Sequence, residues 1–494
     1  MELDIIRNRL NKYLIESEDL YWRNWVGLED DIDIAGLYLK YREIFSKACL
    51  DYVRDALAKE RDPDAMHRLR ALYGQLVLGY LEFETRELQQ TILKKEAATS
   101  VVFDGTTIPV RSFGVKILNE PNRERRRAMV QARETVVHRE INPHRVEWVQ
   151  LLFNAIRGLG FANYIDMCNE IQNRDLRRFA AEMQRFLDES ESLYLKWLSV
   201  YLQREAGTAA NEACDEADLS AIFRCKRFDP HFPQDKLIPT ITKTIQSMGF
   251  SLDGIHLDLE DRPKKKPRAC VSAVNPPGDV RLTVFPAGGY DDYAGFLHES
   301  GHAIHFVHER PDLDFEFKFW GDRGFTEGTA YLFQHITVNP VWLREMVGME
   351  HQDEFLRFNA FLNLLRFRRL IGQFLYQIEL FEAQSVNNMR EKFKLNMQRA
   401  HGVSFESSGY LSFDMEFYSA GYIRARMFEN QLRLYLTDTF GDAWWRNPKT
   451  AEFLRAYYRN GRKLRADDVV LDLGFNGLDN ALYLSEQAAW LNSD

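Results

Sequence analysis

DDYAGFLHESGHAIHFVHE, residues 291–309, is the stretch on which the reading of this chain turns. It contains His298-Glu299-Ser300-Gly301-His302, an H-E-x-x-H pattern. On an α-helix, positions four apart share a face, one turn above the other. His298 and His302 can therefore present both imidazoles to one metal ion. Glu299 is rotated by about 100° from His298, near enough to reach a water at that metal. Two neutral imidazoles and an adjacent base form the set with which zinc activates water for amide hydrolysis. The plainer alternative is a buried amphipathic helix whose histidines fall at this spacing by accident.

The pattern needs a helix, and the local sequence predicts one. Asp291 or Asp292 can cap its start and suits the positive end of the helix dipole. Phe296, Leu297, Ile304, Phe306 and Val307 give apolar surface at helical spacing, and no proline intervenes before Pro311. Gly295 and Gly301 each cost roughly 1 kcal/mol in a helix interior. Gly301 reads as a place where another backbone comes close.

A third ligand is expected from Gly324-Phe325-Thr326-Glu327-Gly328-Thr329-Ala330-Tyr331, where Glu327 is the one acid between Asp322 and Glu345. Its apolar neighbours imply a mostly buried helix, and a lone carboxylate there needs a cation or strong donors. A metal held by His298 and His302 would be that cation, with Arg323 as the alternative. Glu309, Asp312, Asp314 and Glu316 read as a charged, proline-containing loop.

At 494 residues the chain exceeds a typical single core. The expected organisation is an N-terminal helical lobe over 1–215 and a catalytic domain over 216–494. Apolar residues at 45% and charged residues at 28% are ordinary for a soluble globular protein, and a net charge of −9 does not attract nucleic acid or acidic membranes. The basic cluster Arg123–Arg127 reads as a solvated helix face, and Lys264–Lys266 as an exposed linker. Five scattered cysteines without a C-x-x-C fit a reducing compartment. With no apolar leader in MELDIIRNRLNKYL and no spanning segment, the expected location is cytoplasmic. Oligomeric state is not legible.

Helical patterns dominate, with long helices expected over Leu37–Lys59, Ala65–Ala98, Asn122–Glu140 and Leu176–Glu205. Asp62-Pro63-Asp64 supplies a break and a cap. Val101–Val110 turns at Asp104-Gly105 and predicts a small hairpin. Gly207–Asp218 reads as a mobile linker. Ala269–Val274 and Val280–Phe285 are the clearest strands, turning through Asn275-Pro276-Pro277-Gly278-Asp279. Their free edge could hold a peptide by strand addition, or the hairpin could simply pack on the helix.

His298-Glu299-Ser300-Gly301-His302-Ala303-Ile304-His305 resembles the thimet oligopeptidase and oligoendopeptidase F family of zinc peptidases. So do Phe228–Pro239, FDPHFPQDKLIP, and Gly160–Met167, GFANYIDM. In that family the glutamate ligand follows the second histidine by about the interval separating His302 from Glu327. The resemblance implies a mainly α, two-lobed fold with a deep central channel and a small sheet beside the metal helix. It implies one Zn2+ per chain and short, unstructured peptides as substrates. It also implies tyrosine donors for the oxyanion, carried here by Tyr418 and Tyr422. The family's third tyrosine falls on Ala425 and its upstream histidine on Phe413, leaving Tyr410, His401 or Arg424 as substitutes. The expected mechanism has Glu299 as general base, with His298, His302 and Glu327 on the metal. A metallocarboxypeptidase on the same scaffold, or a catalytically weak zinc-containing peptide-binding protein, are the alternatives.

Overall fold

The computed structural model describes residues 2–29, 31–209, 212–224, 226–266, 268–406 and 408–493. They are mostly helical, with two small sheets. Backbone proximity groups the chain into two interleaved units. The first comprises Met1–Val77, Lys226–Leu356 and Gly421–Glu486, and the second Leu78–Cys225, Arg357–Ala420 and Gln487–Asp494. The sequence boundary expected at 215/216 thus falls inside a segment of the second unit. Four unit boundaries lie within the helices Pro63–Ala98, Asp353–Ala383, Tyr418–Phe440 and Asn480–Leu491, where no proline-, glycine- or serine-rich stretch signals a break.

In the second unit, strands β1 (Ser100–Phe103) and β2 (Thr106–Pro109) form the expected antiparallel hairpin. Asp104 and Gly105 both take positive φ at its turn. Asn122 caps the helix Arg123–Glu140 by accepting from the Arg125 amide. That helix is not a solvated basic face. Arg126 is buried, and Arg123 and Arg127 pair with Asp218, which is fully buried. These ion pairs anchor much of the stretch read as a mobile linker, of which Ala210 and Asn211 lie outside the described residues. Cys225 also lies outside them, while Cys49, Cys168, Cys214 and Cys270 are free thiols.

The first unit carries a three-stranded sheet of order β3-β5-β4. Strand β4 (Cys270–Asn275) pairs antiparallel with β5 (Asp279–Thr283), as the sequence predicts. Strand β3 (Ile255–Asp258), not anticipated, runs parallel to β5. It is only four residues long, too short for its alternation to stand out. The expected helix Leu37–Lys59 is instead two, Ile34–Lys40 and Lys47–Lys59, because Ser46 caps the second through the Cys49 amide. Pro63–Ala98 begins as expected, with Asp62 accepting from the Ala65 amide. Among the described residues no helix is long and apolar enough to cross a membrane.

Lys265 overturns the linker reading. Its side chain is fully buried, and its ammonium donates to the carbonyls of Asp258, Glu260 and Val284 at 2.9–3.1 Å while pairing with the Asp258 carboxylate at 3.0 Å. Arg262 and Thr283 also donate to Asp258. Burial opposes ionisation of Asp258, but donation from Arg262, Lys265 and Thr283 outweighs it and holds the carboxyl down at about 2. This cluster ties the end of β3 to the end of β5, the strand leading into the helix that begins at Tyr290. The charged segment after that helix is also not a plain loop. Glu309 and Glu316 are buried, and neither Glu309 oxygen meets a hydrogen-bond donor among the described residues. Burial pushes the Glu309 carboxyl up to about 8, with Arg462 and Lys318 opposing.

Two stability predictions follow from these charges. Asp258→Asn leaves the Lys265 ammonium uncompensated and should cost roughly 3–5 kcal/mol in urea unfolding. Because the folded Asp258 pKa is depressed, the parent's contribution is present above about pH 4 and is lost as pH falls towards about 2. Glu309 behaves oppositely. The folded state retains a proton that the unfolded chain releases above about pH 4.5, so stability falls as pH rises through about 8. Glu309→Gln should melt higher than the parent at about pH 9, with the gap closing by about pH 5.

Candidate metal centre

His298 and His302 lie on the helix Tyr290–Val307, and Glu327 on the helix Arg323–His335. The first helix buries Phe296, Leu297, Ala303 and Ile304 completely, which fixes its orientation. Its N-cap is Gly289, not Asp291 or Asp292. Gly288 and Gly289 take φ of +86° and +92°, and a Cβ on either would meet Gln234 or Asp229 at under 3 Å. Asp292 turns back to accept from the amides of Ala287 and Gly288, both at 2.7 Å. The tight entry therefore depends on glycine geometry and on one carboxylate reaching backwards.

Gly301 is where the two helices touch. A Cβ there would stand 2.9 Å from Ala330 Cα and 3.2 Å from Phe333 Cβ, so the close backbone approach expected at this position is present. The glutamate helix is fixed at its other end as well. Asp322 is its N-cap, accepting from the Gly324 amide at 2.8 Å, and also accepts from the Ala466 amide and from Arg424. Arg424 pairs in addition with Asp467. It is therefore a structural cation holding the start of this helix, not a free oxyanion donor.

The packing brings Glu327 Oε2 to 3.4 Å from the Nε2 of both His298 and His302. One ligand atom from each of the three residues lies within 4.8 Å of the others, so the group could hold a metal ion. Ligands held tetrahedrally at about 2.0–2.1 Å from zinc stand about 3.3–3.4 Å apart, which matches the two carboxylate–imidazole spacings. Two nitrogens and one oxygen also leave a fourth position, as catalytic zinc requires. Burial disfavours the charged Glu327, but His302 and His298 together outweigh it and hold the carboxyl well below its usual range.

Glu299 is half-buried beside this group. The Val271 amide of β4 donates to its Oε2 at 2.9 Å, so this edge-strand amide points to the helix and not to β5. Burial drives the Glu299 carboxyl up to about 7, opposed by His298 and the Val271 amide and assisted by Glu327. A carboxylate near neutrality is suited to accepting a proton and returning it.

Tyr422 belongs to the first unit and lies 6.2 Å, ring to ring, from Tyr331. Tyr331 in turn lies 4.9 Å from His298, and the guanidinium of Arg426 sits 3.8 Å over its ring. Sequence reasoning missed Tyr331 and Arg426. The available signal was spacing, since Tyr331 is one helical turn beyond Glu327 and so shares its face. Tyr418 belongs to the second unit, as do Tyr410, His401 and Phe413. His401 is buried there and donates to the Met397 carbonyl, and Phe413 packs on Trp148 and Phe381. Ala425 is fully buried where Gly328 meets the tyrosine helix, 3.0 Å from a Cβ built on that glycine. His305 is fully buried, donates to the Gly461 carbonyl through Nε2 and stacks on Tyr458.

Three solved structures share this fold. A Bacillus anthracis protein provisionally assigned as oligoendopeptidase F superposes with a TM-score of 0.72 at 15% identity, over 97% of this chain and 89% of its own. PZ peptidase A, solved with an inhibitor, gives 0.72 at 14% identity, over 98% and 91%. A further chain provisionally assigned as oligoendopeptidase F gives 0.69 at 13% identity, over 100% and 97%. No family model matches the sequence, and no curated protein matches it. The chain has the mainly helical fold of the oligoendopeptidase F and PZ peptidase structures.

The glycines of the histidine helix offer a paired test. Gly301→Ala should destabilise by about 1–3 kcal/mol, since the helices must part. Gly295, with nothing within 4 Å of an added Cβ, should gain up to about 1 kcal/mol as alanine. Urea unfolding of both variants in one buffer measures the contrast.

Proposed function

We propose that the chain is a zinc-dependent peptidase acting on short, unstructured peptides. The observation that carries this reading is the convergence of His298, His302 and Glu327 with Glu299 alongside, in the fold of known peptidase structures. The metal set fits zinc by donor type and spacing. When bound, zinc would supply Lewis acidity, polarising the scissile carbonyl and making water a better nucleophile at neutral pH.

The chain's own groups do the rest. Glu299 accepts a proton from the attacking water and delivers it to the leaving amine. Its elevated pKa suits both halves of that exchange. Glu327 compensates the buried cationic site, while the helix contact at Gly301 keeps it beside both histidines. Strand β4 forms an edge of its sheet, and the Val271 amide anchors Glu299 from that edge. A peptide added along β4 would therefore lie beside the proton acceptor. Of the two tyrosines proposed to assist the oxyanion, Tyr422 is supported by its place next to Tyr331. Tyr418 rests on the resemblance alone.

Glu299→Gln should retain stoichiometric zinc while hydrolysis of internally quenched peptides falls by about 10²–10⁴-fold. Chelator-stripped parent should lose the same activity and recover it with zinc. Turnover by Glu299→Gln equal to the parent would remove the mechanism. Release of single C-terminal residues in place of internal cleavage would assign the scaffold to carboxypeptidase action instead.

A further inference from the structure

A histidine bound to a metal through one ring nitrogen is ordinarily held by a hydrogen bond from the other, to a carboxylate, a backbone carbonyl or a water. That bond fixes the plane of the ring, and its loss typically weakens metal binding by about 10–100-fold. In the centre described above, neither histidine finds such a partner among the described side chains and carbonyls. The Nδ1 atoms of both His298 and His302 are buried and have no hydrogen-bond partner among the described residues.

The rings are nevertheless enclosed by other rings. His302 stands edge-on to His298 at 4.9 Å and lies parallel to Phe306 at 5.9 Å. The other aromatic neighbour of His298 is Tyr331, at 4.9 Å and tilted by 59°. Tyr331 also carries a cation on its face. Arg426 lies 3.8 Å over its ring and is also engaged with Tyr331 by a hydrogen bond. A guanidinium over a desolvated ring is held there by the ring's electrostatic quadrupole. Arg426 is itself set beside Glu429, whose carboxylate is held by Arg433. Arg433 pairs in turn with Glu486. A continuous chain thus runs from buried ion pairs through Arg426 and Tyr331 to one ring of the metal set.

We propose that Tyr331, clamped by Arg426, is the positioning residue that sets the His298 imidazole by ring packing, where no carboxylate or carbonyl of the described residues holds its Nδ1. This inference rests on the zinc reading above. Tyr331 does not touch the reacting atoms in this role. It acts through His298, and Arg426 acts through Tyr331.

The test is zinc affinity of the full chain, measured by competition with a chromophoric chelator, alongside melting of the metal-free protein. Tyr331→Leu should weaken zinc binding by about 10–100-fold, by more than any change in metal-free melting accounts for. Tyr331→Phe keeps the ring and should stay near the parent value. Arg426→Met should shift affinity in the same direction as Tyr331→Leu. The double variant should be no weaker than Tyr331→Leu alone, since both changes act on one path. The visible bands of the cobalt-substituted protein should change in Tyr331→Leu and not in Tyr331→Phe, reporting ligand geometry directly. Parent-like zinc affinity in a folded Tyr331→Leu overturns the inference while leaving the peptidase reading intact. Should Tyr331→Leu not fold, parent-like affinity in Arg426→Met overturns it. A parent chain that takes up no zinc overturns the peptidase reading itself.

Discussion

The contact of two helices at Gly301 is the constraint on which the site depends. A buried carboxylate is costly to isolate, and two imidazoles offer it compensation only if they come within a few ångströms. Glu327 meets both at 3.4 Å because the backbone at Ala330 passes where a side chain on Gly301 would be. A β-carbon at this one position would push the glutamate helix outward and open the three-residue set. The glycine that weakens the helix by propensity is thus the residue that lets its histidines meet Glu327.

Buried ion pairs hold the frame around that contact. Asp322 caps the glutamate helix and receives Arg424, so the helix cannot rotate about Gly301 without separating charges. Asp258 and Lys265 join the ends of β3 and β5 just ahead of the histidine helix. Such pairs add little net stability compared with apolar packing, but leaving either partner alone is expensive. They therefore specify one arrangement of the elements more than they strengthen it, and the position of Glu299 against the Val271 amide is one consequence.

Two positions near the tyrosines are taken up by local packing. Ala425 is fully buried with its carbonyl oxygen turned towards Gly328, beside the ring of Phe428. Phe413 is absorbed into an aromatic cluster with Trp148 and Phe381. The aromatic group beside His298 comes from the glutamate helix, as Tyr331, with Tyr422 next to it.

What the sequence determined by itself is local and periodic. The histidine spacing, the helix that carries it, the hairpin at Asp104-Gly105, the β4–β5 turn and the lone acid at Glu327 are all legible, because each depends on residues a few positions apart. The tertiary structure alone decided the rest. It recruited Lys265 and Asp218, both read as parts of linkers, into buried ion pairs. It divided the chain inside four helices, put Arg424 to structural use and placed Arg426 over Tyr331. Those outcomes join residues tens to hundreds of positions apart. Which distant charge or ring meets which is set by how helices pack, and no local pattern of spacing records it.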